Sequence, residues 1–227
     1  MKLYIGNRNY SSWSMRPGVL LAQAGIPHEP VMIRFDAFDA ESHFKRTLAA
    51  ISPAGRVPVL VDGDLAVWDT LAIAEYVAEK FPDKRLWPAD TAARARARSV
   101  CAEMHSGFGA LRGACPMNIE ASLPDTGALI WRDNAAVRAD VARIVAMWTG
   151  LLEASGGPLL FGGFSIADAY FAPVCMRLVT YALPVPPAVR DYIERVRALP
   201  GVAAWVDAAR AEQDFLDFEE PYRLRRS

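Results

Sequence analysis

The order of secondary-structure signals in the first eighty-odd residues leaves few folds open. Lys2–Ile5 is a short apolar stretch ended by Gly6 and a polar turn. From Ser14 to Gly25, Met15, Val19, Leu20 and Ala24 recur at helical spacing. Pro17 suits a helix only near its start, which places that start at Ser12–Ser14, and Gly25 with Pro27 is a stop signal. Pro30–Phe35 reads as a second strand and Asp39–Ala50 as a polar helix. Val57–Val61 is apolar and β-branched, and Asp62-Gly63 turns it into Leu65–Trp68 as a β-hairpin. A helix over Thr70–Phe81 follows, with Leu71, Ala74, Val77 and Ala78 on one face. This order predicts helices packed on one small mixed sheet of four strands.

After Phe81 the pattern changes. Pro82–Asp90 carries two prolines and reads as a linker. Beyond it no strand signal stands out. Ala97, Cys101, Met104, Phe108 and Leu111 keep helical spacing, as do Val137, Val141, Ile144, Trp148 and Leu151. Further helices are expected from Ser165, from about Ala188, and after Pro200-Gly201. The expected organisation is an α/β unit over residues 1–81, a linker over 82–90 and an all-α bundle over 91–227. The order in the first unit resembles the thioredoxin fold.

Composition removes several function classes. Twenty-five basic and 26 acidic side chains leave a net charge of −1, so no overall positive field points to nucleic acid. Cys101, Cys115 and Cys175 are odd in number and far apart, with no CxxC and no Cys/His cluster. Neither a disulfide framework nor a metal is expected. MKLYIG runs straight into polar NRNYSS, and no apolar run is long enough to cross a bilayer, so the expectation is a cytoplasmic chain without membrane contact.

The turn between the first strand and helix reads Asn9-Tyr10-Ser11-Ser12-Trp13-Ser14-Met15-Arg16. In a thioredoxin-like fold, reactive thiols sit at this helix N-terminus, which stabilises negative charge. Here serines occupy it, so disulfide exchange through the chain's own side chains is excluded at this turn. A serine there either caps the helix or donates a hydrogen bond to the thiolate of a bound molecule. The second role lowers a thiol pKa from about 8.5 by about one to two units. Arg56-Val57-Pro58 precedes the hairpin. A proline there is either an edge device or, with a cis bond, a way to turn backbone groups toward a peptide-like ligand. Trp68-Asp69-Thr70 opens a helix: Asp69 or Thr70 can cap it, or carboxylate and helix N–H groups can receive a zwitterionic amino-acid moiety. Ser165 and Asp168 in Phe164-Ser165-Ile166-Ala167-Asp168 have capping-box spacing, a structural role.

Together these motifs resemble the soluble glutathione transferases of serine type, especially the zeta class (maleylacetoacetate isomerase). That class carries two serines, a cysteine, and an arginine three residues later; SSWSMR places Ser11, Ser12 and Arg16 on that pattern, with Trp13 where the cysteine stands. The departure bears on an isomerase role more than on a glutathione site. The resemblance implies a thioredoxin-like N-terminal domain that binds glutathione and an all-helical domain that supplies the electrophile pocket. It makes Ser11 the activating serine, with Ser12 the alternative, and gives Arg56, Val57, Pro58, Asp69 and Thr70 to glutathione. The electrophile pocket is expected from Tyr10 and Trp13 on the turn and from Met104, His105 and Phe108 on the first bundle helix, thinned by Gly107 and Gly109. The competing reading puts Met104 and Phe108 in the bundle core. The implied activity is glutathione transfer to a small apolar electrophile, without metal, by a homodimer. The alternatives are a zeta-like isomerase that recycles glutathione and a non-catalytic binding module.

Overall fold

The structure, a computed structural model, describes residues 1–226. Its first part runs β1 (Lys2–Ile5), α1 (Ser12–Gln23), β2 (Glu29–Met32), α2 (His43–Ala49), β3 (Val59–Asp62), β4 (Leu65–Val67) and α3 (Thr70–Lys80). The sheet order is β2-β1-β3-β4. β1 pairs parallel with β2, Leu3 facing Pro30, and antiparallel with β3, Leu3 facing Leu60. The chain thus forms the expected thioredoxin-like mixed sheet.

Local chemistry moved several boundaries. The hairpin turns on Gly63 and Asp64, one residue later than expected, because Gly63 has the positive φ of 60° that a tight turn needs. β2 stops at Met32 rather than Phe35. The segment after it is drawn off by Asp36, whose carboxylate accepts the backbone N–H groups of His43 and Phe44 at 2.8 and 3.0 Å. Ser42 then caps α2 by accepting from the Lys45 N–H, so that helix starts at His43 and not at Asp39.

The second part is helical: α4 (Thr91–Ser106), α5 (Gly109–Ala114), α6 (Pro124–Asp133), α7 (Ala135–Ser155), α8 (Ile166–Thr180), α9 (Pro187–Arg197) and α10 (Pro200–Glu212). The expected continuous helix through Leu111 breaks at Gly107 and Phe108. Phe108 takes a left-handed conformation (φ 57°), a cost offset by burying its ring. α6 opens with Pro124 and Asp125 in its first turn and carries Arg132 in its last, all helix-end signals.

α1 is the hub. It packs against α3, α8 and α10, and is buried on nearly every face. A Cβ at Gly18 would come within 2.2 Å of the Trp205 ring, so only glycine admits α10 there. One core runs from Leu3, Ile5 and Val19 through Met104 and Phe108 to Trp148 and Phe171, joining both halves. α8 threads it, started by the expected capping box: Asp168 accepts from the Ser165 N–H at 2.9 Å. Burial pushes the Asp168 carboxyl up, and bonds from the Leu160 and Ser165 N–H groups and the Tyr192 hydroxyl oppose this. Because sheet and bundle share α1 as a wall, its N-terminus opens where the two halves meet.

Candidate active site

β1 ends at Ile5 and the next six residues return the chain to α1. Ser11 caps α1, its hydroxyl oxygen accepting from the Ser14 N–H at 3.3 Å. The Ser11 and Ser14 hydroxyls share a bond of 2.7 Å, and Ser14 Oγ also accepts from the Gly6 N–H at 3.1 Å. Ser11 is therefore tied into the turn. Ser12, the first helical residue, has a different partner: Arg177 Nη2 donates to its Oγ at 3.1 Å. A guanidinium can only donate, so the Ser12 proton is left for another acceptor.

Arg177 comes from α8, where it interrupts an otherwise apolar run. Its Nη1 donates to the carbonyls of Arg112 and Cys115. Burial first, and the neighbouring charge of Arg112 second, pull its pKa down to about 10, so it stays cationic at neutral pH. Arg16, on the inner face of α1, is likewise brought to about 10 by burial. Its guanidinium lies between the Trp13 and Tyr170 rings, 4.3 and 4.9 Å from their centroids.

Trp13 separates two cavities. One, of about 660 Å³, is lined by Ser11 and Ser12 and by Tyr10, Phe35, Met117 and Arg177. The other, of about 640 Å³, is lined by Val57, Pro58, Trp68, Asp69 and His105. Trp13, Arg56, Val57 and Arg112 belong to both. The Val57–Pro58 bond is cis, as expected, and so is Trp68–Asp69. Asp69 caps α3, accepting from the Thr70 N–H, and its other oxygen lies 3.6 Å from His105 Nε2.

The expected residues divide. Ser11, Ser12, Tyr10 and Trp13 meet at the first cavity, and Arg56, Val57, Pro58 and Asp69 at the second. Thr70 joins neither. It is buried, and its Oγ1 accepts from the Tyr170 hydroxyl at 2.8 Å, because the first turn of α3 faces α8. Met104 and Phe108 are also corrected: both are core residues and line neither cavity. The α4 face carrying Ala97, Cys101 and Met104 is buried, with α4 packed on α8, and Phe108 sits beyond the helix end. Gly107 and Gly109 mark that break. Gly107 caps the end of α4, where a Cβ would lie 2.7 Å from the Glu103 carbonyl, and Gly109 opens α5 with nothing within 4 Å, so neither thins a helix interior. His105 faces the second cavity, not the first, with its ring edge-on to Trp13 at 5.1 Å.

Sequence reasoning missed three parts of the first cavity. Phe35, Phe38 and Phe44 form an edge-to-face cluster with centroids 5.0 to 5.9 Å apart. Arg112 and Arg177 form a cationic wall. A charged residue inside the apolar run of α8 was a visible signal for Arg177. The third part is the C-terminal segment, which folds back over the turn. The Tyr10 hydroxyl donates to Glu220 at 2.7 Å, Asn118 Nδ2 to both its oxygens at 2.9 Å, and Arg223 Nη2 at 2.5 Å. Burial alone would raise the Glu220 carboxyl, but the bonds from Arg223 and Tyr10 prevail and hold it below its usual range. No group of three or more His, Cys, Asp or Glu among the described residues is arranged to hold a metal.

Two family models match the chain: "Glutathione S-transferase, N-terminal domain" over residues 10–80 and "Glutathione S-transferase, C-terminal domain" over residues 131–208. Glutathione S-transferase Z1 of Arabidopsis thaliana is 30% identical over 177 residues, 76% of this chain and 75% of that protein. Maleylacetoacetate isomerase of Pseudomonas aeruginosa is 32% identical over 121 residues, 52% of this chain and 55% of that one. Among solved structures, a glutathione transferase homolog from Burkholderia with bound glutathione superposes with a TM-score of 0.68 at 27% identity, over 92% of this chain and 97% of that one.

Proposed function

The chain belongs to the glutathione S-transferase family, and on that premise we propose that it is an enzyme that binds glutathione in the Pro58–Asp69 cavity and activates its thiol at the N-terminus of α1. The carrying observation is the Ser12 hydroxyl, polarised by a buried Arg177 and facing the cavity beside the Val57–Pro58 bend. Val57 makes no backbone hydrogen bond to the described residues, leaving its main-chain groups for the cysteinyl unit of the tripeptide. The half-exposed Asp69 carboxylate receives the γ-glutamyl ammonium.

Glutathione supplies the nucleophile: its thiol loses a proton to solvent, the sulfur forms a bond to an electrophilic carbon, and the leaving group departs with its bonding pair. The chain holds the thiolate. The free proton of Ser12, the N–H groups at the start of α1 and the positive charge of Arg177 all favour the anion over the thiol. Between the two serines, the hydrogen bonds favour Ser12 as the donor, since Ser11 spends its hydroxyl on Ser14.

The similarity to maleylacetoacetate isomerase keeps a second reading open, in which glutathione adds to a maleyl double bond, the adduct rotates and glutathione leaves unchanged. Detoxification by conjugation, a cytoplasmic location, a homodimer and domain limits at 1–81, 82–90 and 91–227 complete the proposal. They are supported by family membership and by the change from sheet to bundle after α3. Retention on glutathione-agarose, followed by turnover of chloronitroaromatics against maleyl compounds, tests the activity. Retention without turnover of any acceptor makes the chain a binding module. Light scattering at twice the 24.9 kDa chain mass tests the dimer.

A further inference from the structure

We infer that Trp13 is a positioning residue: its ring, clamped by Arg16 and Arg112, is the wall that turns the cysteinyl arm of glutathione out of the Pro58–Asp69 cavity and sets its sulfur against Ser12. This rests on the glutathione-transferase reading and adds to it the part that joins the two cavities.

In that reading the tripeptide has its grips on one side of Trp13 and its activating hydroxyl on the other. Pro58 and Asp69 line the second cavity and not the first, whereas Ser11 and Ser12 line the first and not the second. The sulfur therefore crosses between them, past the four residues that line both: Trp13, Arg56, Val57 and Arg112. Arg56 is exposed and Val57 is short, so neither makes a fixed wall. Trp13 follows Ser12 directly in the first turn of α1. One piece of backbone thus sets both the ring and the hydroxyl.

The ring is held from several sides. Arg16, one turn further along α1, places its guanidinium over the ring at 4.3 Å. Arg112 of α5 does the same at 4.9 Å, and the His105 ring meets it edge-on at 5.1 Å. Arg16 ties the indole down by its own need. It is buried, and its Nε and Nη1 find no hydrogen-bond partner among the described residues. A buried cation with open nitrogens is costly, and the faces of Trp13 and Tyr170 offset that cost. Tyr170 is fixed in turn by its hydroxyl bond to Thr70. Turning the indole away would strip Arg16 of one of its two rings, so the wall stays where the guanidinium holds it. Positioning demands such rigidity. A sulfur kept within reach of Ser12 gains from the α1 N-terminus and the Arg177 charge, and a sulfur that drifts loses both.

The test is Trp13→Ala, which joins the two cavities and leaves Ser12, Pro58 and Asp69 in place. Calorimetry gives the affinity for reduced glutathione, the ultraviolet absorbance of the bound thiolate gives its pKa, and conjugation of 1-chloro-2,4-dinitrobenzene gives kcat. Affinity should stay within about threefold of wild type, because the grips on the tripeptide are untouched. The bound thiol pKa should rise by about one unit, and kcat at pH 7 should fall by about tenfold or more. Trp13→Phe, which keeps a ring under Arg16, should restore most of both. A folded Trp13→Ala with an unchanged thiol pKa overturns the inference. So does one that no longer binds glutathione, since Trp13 would then hold the tripeptide itself. A Trp13→Phe as impaired as Trp13→Ala also counts against a wall. Should Trp13→Ala not fold, tryptophan emission decides. The part of it present in wild type and missing in Trp13→Phe should be quenched as the bound thiol ionises and stay level with S-methylglutathione. Emission that ignores the ionisation puts the sulfur away from Trp13 and overturns the inference. Failure of the wild-type chain to bind glutathione-agarose is a separate result that removes the function reading, and this inference with it.

Discussion

The two cavities that meet at Trp13 differ in where their walls come from. The Pro58–Asp69 cavity takes most of its lining from residues 54 to 69, a stretch that includes a hairpin and a helix cap. The cavity beside the serines is assembled from positions as distant as Tyr10, Phe44, Met117, Arg177 and Glu219. The first presents the Val57–Pro58 bend and the Asp69 carboxylate beside the tryptophans and arginines that line it, a surface suited to a constant peptide-like ligand. The second presents aromatic faces and buried cations, a surface that changes with each substitution. Recognition of the common cosubstrate can thus rest on locally encoded turns, while choice of the partner rests on tertiary packing.

Mutations can break this contrast, beginning with the largest expected effect. Phe108→Ala should cost about 3–5 kcal/mol of stability and leave acceptor preference unaltered, because the ring fills the shared core and touches neither cavity. Thermal melts and kinetics on one preparation check this, and a shifted preference with a small stability loss would return Phe108 to the pocket. Ser12→Ala should lower conjugation at pH 7 by about ten- to a hundredfold and raise the pKa of the bound thiol, through loss of a hydrogen bond to a charged group. Ser11→Ala should act mainly on stability, by about 1 kcal/mol as a lost helix cap. Thiolate titration of both variants decides, and the reverse pattern makes Ser11 the donor.

Asp69→Ala should weaken glutathione binding by about tenfold and leave the thiol pKa in place, since it acts on the far end of the tripeptide. Titration calorimetry with unchanged affinity would refute that division of labour. The smallest effect concerns the C-terminal segment. The folded-state pKa of Glu220 lies below its unfolded value, so its charge stabilises the fold above the unfolded value, and that contribution drains away as pH falls through the folded one. Glu220→Gln should be less stable at neutral pH, by about 1 kcal/mol, with the gap to wild type closing in acid. A gap that stays constant in melts from about pH 7 to 3 would mean that the carboxylate is not what latches the tail.

The elements of the first part were readable because each carries a local signal: Ser11 and Asp69 as caps, Gly63 for the hairpin, Pro58 before its strand. The misplacements have local causes of another kind. β2 and α2 were shortened by Asp36, which reaches across the loop to amides seven and eight residues away, a choice that period and propensity do not encode. Helical spacing says that the face of Met104 and Phe108 is buried but not against what, and packing of the bundle puts both in the core.

By itself, the sequence determined a mixed sheet followed by a bundle, the serine turn at a helix N-terminus and the family to which these belong. Spacing, caps and turn residues act over a few positions and need no distant partner. Only the tertiary structure decided that Thr70 faces Tyr170 rather than a ligand, and that Arg177 stands behind Ser12 across 165 residues of chain. It alone brought Glu220 back to Tyr10. These depend on which faces of α1, α3 and α8 meet, and a buried charge takes its role from the groups packed around it, which no local pattern records.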